Sequence, residues 1–117
     1  MLLASSRGAA VEQIIGDAEI AAPDLCNAEV VHAFRRMEAA GLVGGERATA
    51  AIALLVDAPI ERLTTSHLVG AIWALRHNLS PYDATYVALA RGLDCPLVTT
   101  DARLARAPGN EIEIIAI

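Results

Sequence analysis

The stretch Leu79-Ser80-Pro81-Tyr82-Asp83-Ala84-Thr85-Tyr86-Val87-Ala88-Leu89-Ala90 decides how this chain is read. Ser80 suits an N-cap. Pro81 fits the first helical position, where a missing N–H costs nothing, and Asp83 suits the positive end of the helix dipole. The helix runs on to Gly92 and is apolar nearly all round, so it belongs inside the fold.

Working outward, strands and helices alternate. Upstream, Glu19–Ala22 reads as a short strand stopped by Pro23. Asp24 then caps a helix through Leu25, Val30, Ala33, Phe34 and Met37 to Gly41. A second helix covers Glu46–Asp57 after the Gly44-Gly45 break, and Ile60–Leu63 is a strand. Ser66–Asn78 carries Leu68, Ile72 and Leu75 on one helical stripe. Downstream, Pro96–Thr99 is a strand, Asp101–Ala107 a short helix and Ile112–Ile117 a final strand. Near the start, Gly8–Ile15 reads as a helix closed by Gly16. Such alternation means an α/β fold with a mostly parallel sheet. The strands are short and apolar on both faces, as buried parallel strands are.

The 117 residues hold no internal repeat and no Pro/Gly-rich linker, which suits one domain. At 55% hydrophobic and 20% charged, the chain can bury a core, and disorder is excluded. Only 3% of residues are aromatic, so the core is expected to be Ala, Leu, Val and Ile, and a base-stacking platform is excluded. The net charge of −5 argues against a broad basic nucleic-acid surface. The longest uncharged, largely apolar stretch, Ala48–Val56, is far short of the ~20 residues that span a bilayer. The first residues lack the order of a signal peptide. Cys26 and Cys95 form no CxxC pair, so neither a disulfide framework nor a zinc site is expected, and both are read as small buried hydrophobes. The default placement is cytoplasmic.

Three acids sit at telling places. Glu29 borders the apolar face of its helix, with Cys26, Val30 and Ala33 as neighbours. Asp83 opens the buried helix, and its stripe-mates Val87 and Ala90 face the core. Asp101 follows directly on the strand Pro96–Thr99, where residues beyond a parallel strand line the ligand crevice. Each has a plainer reading. Glu29 can snorkel to water or pair with Arg36, and Asp83 and Asp101 can serve only as helix-start acids. Gathered at one sheet edge, the three would repel one another, and a divalent cation is the natural compensation. All-oxygen ligation selects Mg²⁺ or Mn²⁺ over zinc. Such a metal activates water and stabilises charge at a phosphodiester. The residues alone lead as far as metal-dependent phosphoryl chemistry.

At these positions the chain resembles the PIN-domain ribonucleases, specifically the VapC-type toxins of toxin–antitoxin pairs. Three blocks carry the likeness: Ala22-Pro23-Asp24-Leu25-Cys26-Asn27-Ala28-Glu29-Val30 with Ala33-Phe34-Arg35-Arg36, then Leu79–Ala90, then Pro96-Leu97-Val98-Thr99-Thr100-Asp101-Ala102-Arg103-Leu104. The resemblance implies a three-layer α/β/α sandwich with a mostly parallel central sheet. It implies an endoribonuclease that cuts RNA with Mg²⁺ or Mn²⁺ held by Glu29, Asp83 and Asp101. Thr99 matches a hydroxyl position that supports the site. The implied partners are RNA, a cognate VapB-like antitoxin and a second copy in a homodimer. The family's first metal-site Asp ends an N-terminal strand in a Val-Asp-Ala-Ser-like segment, and nothing here matches it. The expectation is therefore a sheet without its first strand, two strands left without a neighbour and a weakened metal site. That opens an alternative: a catalytically impaired module that only binds an antitoxin or a partner copy. A phosphoryl-receiver domain is disfavoured by the absence of any Lys.

The remaining candidates are lesser. Arg35 and Arg36 are candidate RNA-phosphate contacts or a solvated face. His32, His67 and His77 read as surface residues. Trp73 and Phe34 read as core or dimer-interface residues.

Overall fold

The computed structural model describes residues 19–107 and 111–117. The helix expected over Gly8–Ile15, and the question of a first strand, lie outside the described residues. In chain order the elements are β1 (Ile20–Pro23), α1 (Leu25–Ala39), α2 (Gly45–Asp57), β2 (Ile60–Leu63), α3 (Val69–Ala74), α4 (Pro81–Gly92), β3 (Leu97–Thr99), α5 (Ala102–Ala105) and β4 (Ile114–Ala116). Strands and helices alternate as expected for an α/β fold.

All strand pairing among the described residues is parallel. β1 pairs with β2 in the register Ile20↔Ile60 to Pro23↔Leu63, and β3 pairs with β4 from Leu97↔Ile114 to Thr99↔Ala116. The strands thus form two separate two-stranded sheets. The helix that touches both pairs is α4, which packs on β1 and on β3.

α4 is built as its sequence dictates. Ser80 takes extended backbone, and its hydroxyl accepts the Asp83 N–H at 3.2 Å, with Pro81 at the first helical position. Ala84, Val87, Ala88, Leu89 and Ala90 are all buried. The Thr85 hydroxyl, also buried, donates to the Pro81 carbonyl at 2.7 Å, so its polarity is absorbed within the helix. Leu75, Ala84, Val87 and Leu104 form the centre of the core, with Ile72, Leu79, Leu97, Ile112 and Ile114 packed against them. The core is aliphatic, as the composition required.

α1 ends in a Schellman motif. Gly41 adopts φ 73°, its N–H donates to the Glu38 carbonyl, and the Leu42 N–H donates to the Met37 carbonyl. Glycine takes this left-handed backbone without a Cβ penalty.

Several details differ from the sequence expectations. Asp24 does not cap α1 with its side chain, because its own backbone is already helical (φ −50°, ψ −28°) and its N–H is bonded to the Leu63 carbonyl at 2.9 Å. Pro23 closes β1 from within the strand, where it is fully buried. The span Ser66–Asn78 is not one helix. It opens with a 3₁₀ turn at Ser66–Leu68 and regains α geometry only over Val69–Ala74. It then tightens again, with Leu75, Arg76 and Asn78 bonding three residues back. Gly70, Trp73, His77 and Asn78 are weak helix formers, which leaves the span to short 3₁₀ pieces. Trp73 is not a core residue: it is 66% exposed, with the Arg76 guanidinium 4.3 Å from its ring centre. Cys26 is buried as expected, but Cys95 is exposed.

The Ser80 cap is open to direct test. Ser80→Ala is expected to lower stability by about 1 kcal/mol in urea denaturation, the usual value of such a cap. An unchanged midpoint and slope would show that Pro81 and core burial alone set the start of α4.

Candidate functional site

The carboxylates enter the site region from three elements. Glu29 sits in the second turn of α1, half-buried. Asp83 lies in the first turn of α4, where the cap at Ser80 fixes its backbone. Asp101 follows β3 and is the N-cap of α5.

Glu29 is held by a residue the sequence reading gave no role. The Tyr86 hydroxyl donates to Glu29 Oε1 at 2.6 Å, across 57 residues of sequence. This contact replaces the expected choice between water and Arg36. Tyr86 stands three residues after Asp83 on α4, so the two share a face of the helix. Burial foremost, then the hydrogen bond to Glu29 and the charge of Glu29, push the Tyr86 phenol far above its ordinary range. Cys26 and Asp83 add to this in the same direction. Tyr86 thus stays protonated and acts as a neutral donor, and it stands within electrostatic reach of both Glu29 and Asp83.

Asp101 is treated differently. Its Oδ1 accepts the Arg103 backbone N–H at 2.9 Å and Arg103 Nε at 3.2 Å, while its Oδ2 accepts Arg103 Nη2 at 3.2 Å. Those hydrogen bonds, with the Arg103 charge, hold the Asp101 carboxyl below the usual carboxylate range. The same contact raises the Arg103 guanidinium, and Asp83 adds to that rise. Thr99 supports the turn, its Oγ1 accepting the Asp101 N–H at 3.1 Å.

Behind Glu29, a second set of contacts pins α1. Arg62 Nε donates to Asn27 Oδ1 at 2.8 Å, and Arg62 Nη2 donates to the Leu55 carbonyl. β2 thereby ties α1 to α2 beside the site. Cys26 lies in this layer, where burial pushes its thiol up against the opposing pull of Arg62. Arg35 and Arg36 are exposed and make no ion pair among the described residues. His32, His67 and His77 are exposed, as expected, and Phe34 is half-buried.

The donor chemistry suits a hard cation. Glu29 Oε2 and the Asp83 carboxylate accept no hydrogen bond among the described residues. Mg²⁺ commonly keeps several waters and takes only one or two carboxylates from a protein. Glu29 and Asp83 fit that requirement. Asp101 does not join them as it stands, because both its oxygens are engaged by Arg103. Among the described residues no three of His, Cys, Asp and Glu gather closely enough to enclose a metal ion.

Comparison with known proteins adds the family context. The PIN-domain model matches residues 2–110. Ribonuclease VapC1 of Mycobacterium tuberculosis strain H37Rv is 48% identical over 94 residues, covering 80% of this chain and 71% of that protein. VapC ribonuclease Mb0985 of Mycobacterium bovis is 36% identical over 93 residues, covering 80% and 73%. Ribonuclease VapC12 of Mycobacterium tuberculosis strain H37Rv is 30% identical over 118 residues, covering 99% and 92%.

The Asp101–Arg103 contact makes a pH prediction. A carboxyl held below its unfolded value contributes stability that is present above the ordinary carboxylate range. That stability is lost as pH falls through the depressed value. Arg103→Ala is expected to move the Asp101 titration upward, toward about 3.9. Carboxyl ¹³C NMR of both proteins checks this, and an unmoved titration would show that the pair does not form in solution.

Proposed function

The chain belongs to the PIN-domain family, and on that premise we propose that it is a VapC-type endoribonuclease that hydrolyses RNA phosphodiester bonds. In this reading it is the toxin of a VapBC-like toxin–antitoxin pair, acting in the cytoplasm. The observation that supports it most is the hydrogen bond that holds Glu29 to Tyr86, a residue one turn after Asp83 on α4. Two carboxylates with free oxygens there form a hard-donor pair of the kind phosphoryl-transfer sites use.

Glu29 and Asp83 would hold Mg²⁺ or Mn²⁺, with Asp101 joining once Arg103 releases it. A divalent cation bound there supplies water activation and neutralises charge at the phosphodiester. The chain's own residues set the geometry. The Ser80 cap fixes where Asp83 leaves α4, Tyr86 orients Glu29, and Thr99 shapes the turn that presents Asp101. Arg35 and Arg36, exposed on α1, would contact RNA phosphates, a positioning role that carries no sequence preference. Exposed Val31, Leu42, Leu54, Val56 and Trp73 give the apolar surface that a second copy in a homodimer and a VapB-like antitoxin would cover.

One observation favours a second reading, in which the fold binds its partners without cutting RNA. Asp101 is engaged by Arg103 rather than turned toward the other two acids.

RNA cleavage separates the two. The chain is expected to cut single-stranded RNA when Mn²⁺ is added and to stop when the cation is chelated. Asp83→Asn is expected to slow cleavage by about 10²-fold, the scale of deleting one charge-stabilising group. Equal cleavage by both proteins would overturn the site assignment. No cleavage by either, with antitoxin binding retained, would establish the binding-only reading.

A further inference from the structure

Tyr86 breaks the apolar run of α4. The residues on either side of it, Thr85 and Val87, are buried, and Thr85 satisfies its hydroxyl within the helix. Tyr86 is half-buried and sends its hydroxyl to another element, onto a carboxylate of α1. A phenylalanine would fill the same volume without bringing a polar group into a nearly apolar helix. The tyrosine at this position is explained by its partner.

That partner is one of the acids proposed to bind the cation, and the contact has a geometry suited to positioning. Only Oε1 of Glu29 is taken, at 2.6 Å, a short distance typical of an O–H···O⁻ bond. Oε2 is left free to face a ligand. The donor is neutral, so it orients the carboxylate without cancelling its charge, in contrast to the Arg103 guanidinium on Asp101. The phenol also rises from the same helix face as Asp83, one turn on, so a single rigid helix sets both the second acid and the orientation of the first. Outer-shell donors to ligating carboxylates are the usual means of fixing such ligands.

We infer that Tyr86 is a positioning residue for the cation site: its hydroxyl holds Glu29 with one oxygen turned toward the ion that Asp83 shares. This rests on the Glu29–Asp83 site proposed above. Tyr86 touches neither substrate nor cation and acts through Glu29.

The test is Mn²⁺ binding by isothermal titration calorimetry on the full chain, comparing wild type, Tyr86→Phe and Tyr82→Phe. Tyr82 is an exposed neighbour on α4 that serves as the control. Tyr86→Phe is expected to weaken the Mn²⁺ Kd by about tenfold, the lower end of the loss seen when an outer-shell partner is removed. Tyr82→Phe is expected to leave it unchanged. Raising Mn²⁺ in proportion is expected to restore the RNA cleavage rate of Tyr86→Phe, which a merely structural defect would not allow. An unchanged Mn²⁺ Kd in Tyr86→Phe overturns the inference and leaves the cation site standing. A cleavage defect that excess Mn²⁺ does not relieve, or a variant that fails to fold by circular dichroism, shows the hydroxyl to be structural and also overturns it. Absence of Mn²⁺ binding in the wild type refutes the cation site itself, and the inference falls with it.

Discussion

The rest of the structure depends on the burial of α4. Ala84, Val87, Ala88, Leu89 and Ala90 leave almost no surface to water, and this helix lies against both strand pairs. A helix so enclosed tolerates a polar side chain only where that side chain finds a partner. Three of its polar positions near the N-terminal end obey this in three ways. Asp83 stands at the open mouth, Thr85 turns back onto the Pro81 carbonyl, and Tyr86 reaches across to Glu29. The proposed site is therefore placed by the apolar core. Charges on α4 are confined to its two ends, Asp83 in the first turn and Arg91, paired with Glu111, in the last.

The same constraint explains what was legible in the sequence. Ser80-Pro81 followed by an unbroken apolar run announces a capped, buried helix from local residues alone, and β2 over Ile60–Leu63 is found with its expected bounds. Ser66–Asn78 was harder. Its Leu68, Ile72 and Leu75 stripe faces inward as a helix would require, yet the backbone meets that requirement with 3₁₀ turns at both ends. Side-chain periodicity reports which residues face the core. It does not report which of two closely related helical geometries delivers them. Trp73 shows a similar limit: of the two places its aromatic identity suggested, core or dimer interface, the core is ruled out, because Trp73 lies off the inward stripe and is exposed against Arg76.

The acids were legible as residues and their partners were not. Asp83 and Asp101 are marked by what precedes them, a cap signal and an apolar strand. Glu29 is marked only by the apolar face it borders, and its donor lies 57 residues away. A pairing across that span is decided by how α1 and α4 pack, so no local pattern exposes it. One signal was present: Tyr86 is a polar-tipped residue beside the most buried stretch of the helix, on the same face as Asp83. The Arg103 contact to Asp101 was nearer to hand, two residues on, and follows from ordinary N-cap geometry.

These two modes of holding a carboxylate have different electrostatic results. Arg103 brings a full positive charge, so the Asp101 pair is close to neutral seen from a few ångströms away. Tyr86 brings only a dipole, so it adds no compensating charge beside Glu29. Of the three acids, Asp101 is therefore the one whose charge is compensated by an arginine at contact distance. A chain of net charge −5 repels RNA at long range, and on the proposed reading a cation held by Glu29 and Asp83 would reverse the sign locally. Arg103 is 86% exposed and held to Asp101 only by contacts within its own turn, so in the proposed function it would be the group to release Asp101. On the proposed reading, one change of counter-ion at Asp101 would both bring the third acid to the cation and present an arginine to the RNA backbone.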